Sequence, residues 1–67
     1  MRELKLLTGK TVIISTTEVT FRGVVESATR GFVTLTLAES LGGAEPVSIV
    51  GFVLVPVAKI NYVQATS

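Results

Sequence analysis

Residues 45–57, Glu-Pro-Val-Ser-Ile-Val-Gly-Phe-Val-Leu-Val-Pro-Val, are β-branched and aromatic on both alternating faces. Val47, Ile49, Val53 and Val55 fall on one side; Val50, Phe52 and Leu54 fall on the other. A strand with one wet face alternates apolar and polar residues, whereas one that is apolar on both faces must be covered on both. A chain of 67 residues has few elements with which to cover a second face. The run therefore predicts self-association, and Ile49, Val50, Phe52 and Leu54 are the candidate interface residues.

Length and composition point the same way. Residues 1–67 read as a single domain, in the size range where one core is marginal and oligomers, metals or disulfides commonly help. Cysteine and histidine are both absent, which removes disulfides, thiolate chemistry, zinc fingers and imidazole acid–base work. Stability must then come from burial, and the apolar content of 48% is high for so small a domain. The net charge of +1 gives no global field toward nucleic acid or anionic membrane, so anion binding would be local. No segment reads as a signal peptide, and the apolar run near the C-terminus is too short to span a bilayer as a helix. The expectation is a cytoplasmic protein with no membrane partner.

The pattern along the chain is that of an all-β domain. Residues 2–7 suit a short N-terminal helix, stopped by Gly9. Thr11-Val12-Ile13-Ile14 opens a first strand. From Val19 to Glu26 the period is two, with Val19, Phe21 and Val25 on the apolar side. Gly23 interrupts that side, as at a bend or bulge. Phe32 to Ala38 alternates again, predicting Val33, Leu35 and Leu37 inside and Thr34 and Thr36 outside. Residues 39–45 form the longest irregular piece. The apolar run follows as a strand ended by Pro56, then a tight turn at Val57-Ala58-Lys59 and a closing strand from Ile60 to Val63. Five short strands, one strongly bent, after a small helix describe an SH3-like β-barrel.

Over roughly residues 4–63 this order of elements resembles the Sm and Sm-like (LSm) family. The resemblance rests on Leu4, Leu7, Gly9-Lys10, Val12, Ile14, Phe21-Arg22-Gly23 and Val25, then Val33, Leu35 and Leu37, and on Ile49-Val50-Gly51 with Leu54 and Val57. These are mainly fold residues: the apolar ones fill the barrel, Gly23 permits the bend and Gly51 the turn joining the last strands. A competing register places the last turn at Pro56–Lys59 and leaves Gly51 inside a continuous strand. The resemblance implies a homo-oligomeric ring that binds single-stranded RNA. It places Phe32 at the base-stacking position, but Thr34 where an asparagine is usual, Arg30 where an aspartate is usual and Val50 where an arginine or lysine is usual. Base selectivity should therefore be weak.

The candidate nucleic-acid residues are thus Phe32, Thr34, Arg30 and Arg22. A half-buried aromatic such as Phe32 is more often a core or interface residue than a stacking platform, and arginines such as Arg22 and Arg30 are more often solvated charge. Lys59 beside Tyr62 suits a snorkelling side chain at the barrel rim. No paired carboxylates, activated nucleophile or phosphate loop is apparent, so the chain is not expected to be an enzyme, and no cofactor or metal is expected. The alternative function is a structural or scaffolding ring, for example in a phage particle, that binds no nucleic acid. A polar, basic groove around Phe32, Thr34 and Val50 would favour RNA; an apolar surface would favour scaffolding.

Overall fold

Two threonines close the first two hairpins of the chain. The Thr16 hydroxyl donates to the Val19 carbonyl at 2.6 Å and accepts from the Val19 amide at 3.0 Å. Thr29 does the same for Phe32, at 3.3 Å and 3.2 Å. Such local side-chain bonds satisfy turn backbone that the ladders cannot reach. In the computed structural model, which describes residues 5–66, these turns link β1 (Thr11–Thr16), β2 (Thr20–Ala28) and β3 (Phe32–Ser40). The short strands β4 (Val47–Ser48) and β5 (Val53–Pro56) follow, then one 3-10 turn at Val57–Lys59 and β6 (Ile60–Ala65).

All strand pairs are antiparallel, in the order β4-β3-β2-β1-β6, with β5 also on β3. The protein is all-β with six strands rather than five, because the strand expected over 46–57 is broken. Among the described residues no ladder joins β5 to β6, so hydrogen bonds do not complete a closed barrel. Part of the helix expected over 2–7 lies outside the described residues; within them, 6–9 form turns.

The core is Val12, Ile14, Val25, Val33, Leu35, Ala38 and Val55, each at most 3% exposed. These residues come from β1, β2, β3 and β5, on one side of a single sheet. With no second layer among the described residues, such burial requires the sheet to coil over its own inner face. Leu7, Phe21, Val53, Val57, Ile60 and Val63 pack around this cluster.

One expected core residue is outside. Leu37 is exposed, and Ala38 takes the interior position. The register explains it: Arg22 pairs with Glu39 but Val24 pairs with Thr36, so β3 carries one extra residue opposite Gly23. Leu37 has φ +52, the left-handed region, which turns its side chain out and Ala38 in. The irregularity expected at Gly23 is thus present, with the extra residue on the facing strand.

The break in the apolar run has a matching cause. Phe32–Leu35 pair with Pro56–Val53, whereas Glu39 and Ser40 pair with Ser48 and Val47. Residues 49–52 lie between these ladders, opposite the Leu37 bulge, and Gly51 has φ +91. Gly51 therefore does not form the turn into the last strand; Val57–Lys59 does, as in the competing register. Neither does it lie in a continuous strand. Gly51→Ala has room for its methyl but forces an L-residue into the left-handed region. A loss of about 1–2 kcal/mol is expected in thermal or urea denaturation. An unchanged midpoint would contradict this geometry.

Candidate interaction surface

Alternation along β3 and β5 sends one set of side chains into the core and the other out. Thr34 pairs with Leu54, and Phe32 pairs with Pro56. Val33, Leu35 and Val55 point inward and are buried, so Phe32, Thr34, Leu54 and Pro56 share the outer face. Phe52 continues the outward parity of β5, and Leu37 and Val50 stand at the two facing irregularities. Exposure is 45% at Phe32, 59% at Leu54, 62% at Phe52, 81% at Leu37 and 99% at Val50. The result is a strip of apolar side chains with Thr34 and Thr36 between them and no charge. A monomer's largest apolar patch is typically about 300–600 Å², and larger ones mark interaction sites. Five large apolar residues left this exposed along one face form a patch of that kind.

The two sets of candidate residues therefore fall together. Phe32 and Thr34, proposed for nucleic acid, interleave with Phe52, Leu54 and Val50, proposed for the subunit interface. Ile49 is half-buried, and its amide donates to the Ala38 carbonyl at 2.9 Å. Arg22 is elsewhere. It lies in a row across the sheet, Gln64–Ile13–Arg22–Glu39–Ser48, set by the strand registers. Its guanidinium donates from Nε to Glu39 Oε1 at 2.7 Å, and its Nη2 bonds the same oxygen. An arginine held this way is a poor phosphate ligand. Arg30 is exposed in the β2–β3 turn, two residues before Phe32.

At the β1–β2 end lies a cavity of about 180 Å³ lined by Val19, Phe21, Leu54, Val55 and Lys59, among others. The Lys59 ammonium bonds Glu18 at 3.4 Å across its rim, in an exposed pair. Surface pairs of this kind contribute little, about 0–1 kcal/mol. Among the described residues no group of three metal-ligating acids forms.

Residues 37, 38 and 50–52 mark what the period-two reading missed. The signal was the shift of small and apolar residues from odd to even positions at Ala38, opposite a glycine on the neighbouring strand. Strict alternation through Leu37 concealed it.

The coiled sheet and its outward apolar strip define a small all-β protein. A solved structure of the same fold is a chain in the crystal structure of the NatC complex bound to CoA, with a TM-score of 0.79 and 24% identity. The match covers 91% of this chain and 80% of that one. At this identity the likeness establishes the fold. No protein-family model matches the chain, and no curated protein does.

Proposed function

We propose that this chain is a non-catalytic subunit of a protein assembly, joined to other subunits along its sheet edges. The observation that carries the reading is the run from Pro46 to Val57, which contains no charged residue yet supplies an edge of the sheet. Proteins commonly blunt exposed edges with lysine or other charge, because unpaired N–H and C=O groups recruit strands. The opposite edge, β6 with Ile-Asn-Tyr-Val-Gln-Ala, is also uncharged. Pairing the β4–β5 edge of one copy with the β6 edge of the next gives a head-to-tail contact, which forms a ring when the rotation closes. The Sm-like pattern of the sequence supports such a ring, and the structurally similar chain itself belongs to a complex. Hydrogen exchange tests the reading. Slow exchange across β5 and β6 at high protein concentration, quickening on dilution, is expected; fast, concentration-independent exchange on both edges would contradict it.

A second reading, binding of single-stranded RNA, is favoured by one observation: exposed Arg30 adjoins exposed Phe32 across the Thr29 turn. With Arg22 held by Glu39, Arg30 is the candidate phosphate ligand left in each subunit, so affinity would depend on repetition. Oligo-U and oligo-A are then expected to bind alike and only at low salt. Phe32→Ala should weaken both equally, and Arg30→Ala should flatten the salt dependence. Uridine-selective binding at physiological salt would contradict this account of Thr34 and Val50.

A further inference from the structure

We propose that the outward strip of β3 and β5, anchored by Leu37, packs face to face against the same strip of a second copy of this chain. The inference rests on the reading of the chain as an assembly subunit, but it concerns a sheet face and is independent of edge pairing. In a twofold contact each patch meets itself, so any net charge in it would face its like. The strip from Phe32 through Leu54 and Phe52 to Leu37 and Val50 has none. Beyond Leu37, Arg22 and Glu39 pair with each other, and the exposed charges that flank the strip, Glu26 on β2 and Arg30 before Phe32, are opposite in sign. A standard interface buries about 800 Å² on each partner, and five large apolar residues that are 45–99% exposed supply a large part of such an area. Two such faces stack about 10 Å apart, as paired sheets do.

Leu37 carries the sharpest part of the case. A bulky L-residue in the left-handed region is strained, and such strain clusters at positions that bind or switch. Here the strained residue is also among the most exposed leucines, so in the isolated chain the bulge gains no burial for its side chain. Seating that side chain between the second copy's Phe52 and Val50 recovers the burial.

The test compares the solution mass of the wild-type chain with that of Leu37→Asp and Leu37→Gly. Aspartate places like charges in the contact. Glycine removes the side chain while relieving the positive φ, so it should fold at least as stably as Leu37→Ala by thermal denaturation. Both variants are expected to halve the particle mass with the circular dichroism spectrum unchanged. A large particle that halves supports face and edge contacts together. A dimer that becomes a monomer supports the face contact and removes the ring. A large particle unchanged in both variants overturns the face contact, leaving the strip to an unlike protein, while the edge reading stands. A wild-type monomer overturns both.

Discussion

Gly23→Val is expected to lower the melting temperature by roughly 10 °C, within a range of about 4–24 °C, the largest stability loss of any single substitution considered. A Cβ on Gly23 would stand 3.1 Å from the Ala38 Cα, 3.1 Å from the Thr36 carbonyl oxygen and 3.2 Å from the Ala38 Cβ. Two of those atoms are backbone and cannot swing aside. Their closeness follows from the Leu37 bulge, which turns Ala38 inward onto β2 just where Gly23 faces it. Overpacking at such a crossing costs about 1–3 kcal/mol, and each kcal/mol shifts the midpoint of a domain this size by about 4–8 °C. Gly23→Ala should lose less, since one methyl needs only a few tenths of an ångström of give. A valine variant melting with the wild type would show that β2 and β3 do not cross this closely.

Phe52→Lys or Leu54→Lys is expected to break the contact made by the strip while leaving the subunit folded. Both side chains are largely exposed in the isolated chain, so neither substitution removes core packing. A lysine sealed in an apolar contact without a partner costs several kcal/mol, enough to weaken association by about a hundredfold or more. The readout is sedimentation of the variant beside a circular dichroism spectrum. An assembly of wild-type mass in both variants would show that the strip does not meet another subunit.

The division between what the residues foretold and what they concealed is physical. Period-two alternation made β1, β2 and the first half of β3 legible, because inward Val12, Ile14, Val25, Val33 and Leu35 keep that period despite a second register shift between Val25 and Ser27. Pro56 ended β5 as its missing amide requires, and Val57–Lys59 turned the chain into β6. The bulge was not legible, because nothing in Leu37 itself favours a left-handed backbone; the facing Gly23 and Ala38 make room for it. Opposite the same bulge the apolar run breaks at residues 49–52, where Gly51 has a positive φ. Of the candidate site, Phe32, Thr34, Val50, Phe52 and Leu54 converge as one surface. Arg22 does not join them, since its cross-strand pairing with Glu39 depended on a register that β3 had shifted.

The mass of the native particle tests the central claim most directly. Native mass spectrometry of the wild-type chain at micromolar concentration, with sedimentation alongside, should return a discrete multiple of the 7.1 kDa subunit. A single species at the subunit mass, stable across that concentration range, would contradict the account of this chain as a piece of a larger protein assembly.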